Sequence, residues 1–314
     1  MSDSFWINKK VAVTGAGGFI GSHVVRFLSE HGARVTALVS HRSKQKPNAV
    51  RKKNLRVCVV DLNNRENTVR VLKNTDIVFH FAGLDGGTAY KQAHTHEILQ
   101  TNTRIALNIL DACKINRVSR LLLMSSVEVY AISKSSVVDK RFNRGYWFDE
   151  DIGAYAWVKR YTEILGKYYH DKNLRIAIAR AGNVYGPGDD VAKGRVIPTF
   201  IHLAKANKPI KITAPKSKEL TFMFVTDLAR ALTLLIEKHA TGEPVNIIGS
   251  QRINLYELAK KVVDITGSKS KIRYSPPESQ SVHRKYSNKQ FLTLTPFKEQ
   301  YTIDKGIKHM CENV

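Results

Sequence analysis

Apolar and polar positions over the first 180 residues fall into two rhythms. Short apolar runs bounded by turn residues read as buried strands, and longer stretches with apolar residues three and four apart read as amphipathic helices. The pattern predicts strands at Lys10–Thr14, Arg34–Val39, Leu55–Val60, Asp76–Phe81, Arg120–Met124 and Leu174–Ala179. Between them it predicts helices at Phe19–Glu30, at Asn102–Lys114 and at Ala154–His170. In the first of these, Ile20, Val24, Val25, Phe27 and Leu28 form the apolar side. Such an alternation builds a doubly wound parallel sheet with helices on both faces.

Beyond residue 180 the alternation weakens. A helix at Ile197–Ala206, short strands at Pro209–Thr213 and Leu220–Val225, a helix at Thr226–His239 and a strand at Val245–Ile248 are predicted. Asn254 with Glu257 three residues on is a helix-start signature, opening a helix to Thr266. Residues 131–150 are predicted to be a polar loop over the site, and the tail from Lys271 to be basic and irregular. These mixed elements suggest a smaller lobe across the carboxyl edge of the sheet.

The chemistry concentrates where strands end. Gly15, Gly18 and Gly21 stand between the first strand and the first helix, in the spacing G-x-x-G-x-x-G. The first glycine permits a tight turn, the second lets backbone N–H groups reach a pyrophosphate, and the third lets the helix pack closely. The helix N-terminus at Phe19 and Ile20 then faces the phosphates. This is a dinucleotide site, and the chain divides into a dinucleotide-binding domain, 1–180, and a mainly substrate-binding lobe, 181–314, with the chain crossing back into the sheet.

After the second strand an acid would bind the adenosine ribose hydroxyl of NAD. Here Ser40, His41 and Arg42 follow Val39, and Ser40 and Arg42 suit a 2′-phosphate, which favours NADP over NAD. Asp61, followed by Leu62, either accepts from an adenine amino group or caps the helix beginning near Asn63. Ala82 and Gly83 are small enough to let the backbone lie against a cofactor, and Gly86-Gly87 make a flexible loop beyond them. His94, His96 and Glu97 lack a further ligand, so no metal is expected. The fifth strand runs into Ser125-Ser126-Val127-Glu128, placing polar groups at the ligand-binding edge. Tyr155 and Lys159 share one helix face at i, i+4. An ammonium beside a phenol favours the phenolate, so Lys159 is expected to lower the Tyr155 pKa and make it a general base.

Composition narrows the class. The 314 residues are 43% hydrophobic and 9% aromatic, which is globular. No apolar run reaches membrane-spanning length, and no secretory signal is evident. Cys58, Cys113 and Cys311 are far apart, as reduced buried thiols of a cytoplasmic protein are. The formal charge of +23 invites nucleic acid as a partner. The Lys and Arg are dispersed along the chain, however, which argues against it and for a basic surface that helps an anionic small substrate.

Taken in order, the glycine triplet, Asp61-Leu62, Ala82-Gly83, Ser125-Ser126, Tyr155-x-x-x-Lys159 and Asn183-Val184-Tyr185-Gly186-Pro187-Gly188 resemble the extended short-chain dehydrogenase/reductase family. The likeness is to its nucleotide-sugar epimerases and dehydratases, over about residues 8–300. The resemblance implies a Rossmann domain with bound NAD or NADP, and a smaller mixed α/β lobe for a nucleoside-diphosphate sugar. It implies a homodimer formed through helices near 95–115 and 154–170. Tyr155 would be the base, Lys159 would bind the nicotinamide ribose, and Ser126 would bond the sugar hydroxyl. Gly86, Asn183 and Arg284 would bind substrate. The implied chemistry is transient oxidation at sugar C4, with Tyr155 taking the hydroxyl proton and hydride leaving for the nicotinamide.

Three positions depart from the family pattern. Leu220-Thr221 replace a diphosphate-gripping arginine, and Ala131 replaces a glycine. Glu128 aligns with the carboxylate of family dehydratases and decarboxylases, but Val127 stands where sugar 4,6-dehydratases have aspartate. Glu128 then serves as base and acid, or the reaction stops short of water loss. Two alternatives stay open: an NADP-dependent keto-sugar reductase, and a non-catalytic dinucleotide- or RNA-binding protein.

Overall fold

A computed structural model of the chain describes residues 3–41, 53–130, 153–275 and 286–312. Its strands are β1 (Lys10–Thr14), β2 (Arg34–Val39), β3 (Leu55–Val59), β4 (Ile77–His80), β5 (Arg120–Ser126), β6 (Arg175–Ala181), β7 (Asn183–Tyr185), β8 (Ile210–Ile212), β9 (Glu219–Phe224), β10 (Pro244–Ile247), β11 (Arg252–Asn254) and β12 (Ile272–Tyr274). Its helices are α1 (Phe19–Glu30), α2 (Arg65–Val71), α3 (Thr88–Ala93), α4 (Thr95–Ile115), α5 (Gly153–Tyr169), α6 (Val196–Lys205), α7 (Val225–Lys238), α8 (Leu255–Thr266), α9 (Lys289–Leu294) and α10 (Ile303–Glu312).

Seven strands form one parallel sheet in the order β3-β2-β1-β4-β5-β6-β10. Side chains alternate across it, as the pleat requires. Val11, Val13 and Phe79 point to the face covered by α1 and α7. Ala12, Val78, Leu121 and Leu123 point to the face covered by α4 and α5. Burial on both faces explains why Ile77 to His80 are all buried and why the central strands carry no polar alternation. The fold is the Rossmann-like doubly wound sheet expected. Strand order reverses between β1 and β4, and that switch point opens a crevice at the carboxyl ends.

A smaller cluster follows. Sheets β11-β9-β7 and β12-β8 pack with α6, α8 and α10 around Ile197, Phe200, Phe224, Leu258 and Ile307. Asn254 does cap α8, its Oδ1 accepting from the Glu257 N–H at 2.9 Å. Gly267 ends that helix at φ +62°. The chain crosses back to the large sheet as β10, beside β6.

Several expectations are corrected here. The tail beyond Lys271 is not irregular: it supplies β12, α9 and α10. The sparse apolar residues of α10 all do packing work, with Ile303, Ile307 and Met310 buried in the small-lobe core. Gly306 of the same helix lies against the Tyr185 ring. The strand predicted to end at Met124 continues to Ser126, because Ser125 and Ser126 pair with Arg180 and Ala181 of β6. Of the three thiols only Cys113 is buried, while Cys58 and Cys311 are half-buried. Residues 131–150 lie outside the described residues.

Candidate active site

The glycine turn is built as its spacing implies. Gly15 takes φ +64°, and a Cβ there would stand 2.8 Å from the Ala82 nitrogen. A Cβ on Gly21 would strike the Gly15 carbonyl, so that glycine allows α1 to start tight against the turn. Gly18 is the N-cap of α1, supplies no side chain to cap it, and no carboxylate occupies the first turn. The amide N–H groups at Phe19 and Ile20 are therefore left for an outside anion.

A cleft of about 1520 Å³ opens over this turn. Gly15, Gly18, Phe19, Ser40, Asp61, Leu62, Ala82, Gly83 and Gly86 all line it, so most of the predicted cofactor positions share one space. Asp61 Oδ1 accepts from the N–H and the side-chain amide of Asn63, both at 3.0 Å. The helix cap itself is Asn64. The segment 188–195 roofs the cleft, with the Arg195 guanidinium 5.4 Å from the Phe19 ring centroid. His23 of α1 donates from Nε2 to the Pro187 carbonyl at 2.9 Å and ties that roof down. A nicotinamide dinucleotide fits this cradle: uncapped helix amides for pyrophosphate, backbone bared at Ala82-Gly83, and room for two nucleosides. Arg42 and Arg284 lie outside the described residues.

Tyr155, Lys159, Ser126 and Glu128 gather at the end of β5, but they do not line that open cleft. Between the two stands Lys91, a residue that sequence reasoning passed over. Its side chain is only 8% exposed. Nζ donates to Glu128 at 2.8 and 2.9 Å, pairs with Asp85 at 3.6 Å, and sits 3.8 Å from the Tyr155 ring centroid. Asp85 in turn meets Arg195 at 3.7 Å, and Arg195 holds Asp189 at 2.7 Å. Burial pushes Asp189 up to about 6 in spite of that arginine. The Gly86-Gly87 pair is not a slack loop. A Cβ on Gly86 would meet the Tyr90 ring and one on Gly87 the Lys193 carbonyl at 2.6 Å, so the glycines press α3, and Lys91 with it, into place.

In the folded chain other influences than Lys159 dominate the Tyr155 phenol. Burial raises the Tyr155 pKa well above the ordinary phenol value, and the Asp85 and Glu128 carboxylates raise it further, against Arg195. The Lys159 ammonium donates to the Met124 carbonyl at 2.8 Å and lies 5.5 Å from the ring centroid. Burial lowers the pKa of Lys159 itself. Ser126 Oγ accepts from the Glu128 N–H at 3.2 Å, capping a short 3-10 turn at 127–129. Asn183 is on β7, its amide donating to the Thr221 carbonyl at 3.0 Å.

Beneath the site, the Thr14 hydroxyl accepts from the N–H groups of Phe81 and Ala82. Its own proton is thus directed to His80 Nδ1, 2.9 Å away, which makes His80 a neutral ring protonated on Nε2. Burial, aided by the Lys159 charge, brings the His80 pKa down to about 3. Among the described residues no group of three metal-type ligands gathers, and His94 pairs with Glu97 at 3.2 Å. No helix among them is long and apolar enough to cross a membrane.

Residues 11–248 match the NAD dependent epimerase/dehydratase family. The chain belongs to that family. A dTDP-4-dehydro-6-deoxy-D-allose reductase of Streptomyces bikiniensis is 32% identical over 88% of this chain and 87% of its own. A GDP-mannose 3,5-epimerase of Arabidopsis thaliana is 30% identical over 86% and 72%. In structure, a dTDP-glucose 4,6-dehydratase of Streptomyces venezuelae with NAD bound superposes with a TM-score of 0.83 at 21% identity, over 96% and 95% of the two chains. The relatives thus include a reductase and an epimerase, and the dehydratase shares the fold.

Proposed function

We propose that this member of the family is an NAD(P)-dependent enzyme that reduces the 4-keto group of a nucleoside-diphosphate sugar. Glu128 carries the choice among family outcomes. Dehydration needs a carboxylate able to take a proton from C5, and Glu128 is held in a two-bond ion pair by Lys91 instead. Val127, beside it, cannot donate a proton. Reduction asks for neither group, and the reductase relative supports the same direction.

When bound, the nicotinamide supplies hydride. The chain's own part is proton handling and orientation. The Tyr155 hydroxyl, kept protonated by its burial, gives its proton to the sugar O4 as that oxygen gains charge. Ser126 orients the same oxygen, and Lys159 holds the ribose and then helps restore the Tyr155 proton. Asn183 and, beyond the described residues, Arg284 contact the diphosphate. Ser40 and His41, both exposed at the end of β2 where the sequence offers no acid next to them, favour NADP. The outward face of α5 carries Trp157, Tyr161, Ile164 and Tyr168 largely exposed, and α4 adds Leu99. That apolar face is the homodimer surface in this reading.

The test is incubation of a panel of nucleoside-diphosphate 4-keto-6-deoxy sugars with NADPH or NADH. Loss of reduced cofactor in step with a two-hydrogen mass gain is expected, faster with NADPH. Conversion of a 4-hydroxy sugar with unchanged mass and no cofactor consumed would replace reduction by epimerisation. Loss of one water from the sugar would replace it by dehydration.

A further inference from the structure

We propose that Lys91 is a positioning residue for Tyr155: its ammonium, clamped by Glu128 and Asp85, is the cation that sets the protonation of the phenol. This rests on the reading of Tyr155 as the acid–base group. The residue that sequence spacing selects for the task, Lys159, is occupied elsewhere, with its Nζ on the Met124 carbonyl and 5.5 Å from the ring centroid. Lys91 Nζ is at 3.8 Å, over the ring face. A cation there is attracted to the π face, and far more strongly to a phenolate than to a phenol.

Two carboxylates and a second cation act on Tyr155 beside Lys91. Glu128 and Asp85 both raise the energy of a phenolate, and Arg195 opposes them from the roof of the cleft. Glu163 acts on Lys159, and Lys159 in turn acts on His80. Bound by Lys91, the two carboxylates are neutralised in place. Without Lys91, Glu128 would lose its ion pair and Asp85 would keep only Arg195, beside a buried ring that must give up and regain a proton each turnover. The placement is built and not incidental: Lys91 is almost wholly buried, and α3 is seated by the Gly86-Gly87 contacts. A buried ammonium is tolerated only when well paired.

The experiment is a pair of pH titrations on the full chain, wild type against Lys91→Met and Lys91→Arg. One follows kcat/KM, and the other follows the phenolate absorbance difference between each protein and its Tyr155→Phe counterpart, which needs no substrate. In Lys91→Met the Tyr155 limb and the phenolate transition should both move to higher pH, by between about one and three pH units, the size of effect a charge at this range exerts. Lys91→Arg should restore most of the difference, kcat should fall, and KM should change less than about threefold. Glu128→Gln, which keeps shape and deletes one carboxylate, should move the transition the opposite way and covers the case of a poorly folded Lys91→Met.

Unmoved titrations in both Lys91→Met and Glu128→Gln would overturn the proposal, as would a shift produced by Lys159→Met alone. Full activity in Tyr155→Phe would overturn the acid–base reading instead, and the absorbance titration would still report whether Lys91 governs the phenol.

Discussion

Two carboxylate–cation pairs flank the end of β5, and they have the same chemistry in opposite settings. Glu163 and Arg180 are sealed, at 2% and 1% exposure, with two bonds between them and Ser125 donating to the same carboxylate. The Arg180 guanidinium also lies 4.6 Å from the Tyr130 ring centroid. Burial works against its charge, but Glu163 outweighs that and holds its pKa above the ordinary value. Lys91 and Glu128 also share two bonds, but Glu128 is 29% exposed and Lys91 also reaches Asp85, which lines the cleft. The sealed pair joins α5 to β6 and has nowhere to move. The cleft pair faces Tyr155 and remains within reach of solvent. Burial and neighbours, not residue types, separate a structural ion pair from a functional one.

The largest effect should come from Tyr155→Phe, the ring that Lys91 faces. Turnover is expected to fall by about 10²–10⁴-fold, the usual worth of a positioned acid–base group, with the melting temperature nearly unchanged. A variant keeping more than about a tenth of the activity would show that the cleft pair serves no proton transfer.

Next is the sealed pair. Arg180→Met should lower unfolding stability by about 3–5 kcal/mol in urea titration, since Glu163 would be left buried and charged. Glu163→Leu together with Arg180→Met should recover most of the loss. If Arg180→Met proves harmless, the contrast between the pairs collapses.

A further effect appears only in acid, beneath the two pairs. His80 is buried and neutral, with a folded pKa of about 3 that lies below the unfolded histidine value of about 6.5. Between those values the unfolded chain binds the extra proton. Stability therefore falls as the pH drops through that window and is fully present above it. His80→Gln should flatten that dependence in urea midpoints measured from neutral pH to pH 4. An unchanged slope would move the acid sensitivity to another group.

Much of the dinucleotide half was legible in the chain. The strands over Lys10–Thr14 and Arg34–Val39 and the helix over Phe19–Glu30 agree residue for residue with the structure. Periodicity is a property of near neighbours, and these elements are long, apolar and bounded by glycine or charge. The glycine turn was legible for the same reason. The C-terminal tail was not, because its helices are short and amphipathic and fold only against a core assembled from distant segments. The second half of β5 was missed because Ser125 and Ser126 look like loop residues until β6 is placed beside them.

Tyr155 and Lys159 were found by their i, i+4 spacing, and Ser126 by its place at the end of the fifth strand. Tertiary structure adds a second cation over the same ring. Lys91 is 37 residues from Glu128 in sequence and sits in a short helix with no motif of its own. Only the packing of α3 over the end of β5 brings its ammonium to the tyrosine. Helix spacing determines which side chains share a face, because it is set by local backbone geometry. Which cation meets a buried ring, and whether a carboxylate is free or bound, depends on desolvation and on partners from other elements, and no local pattern encodes those.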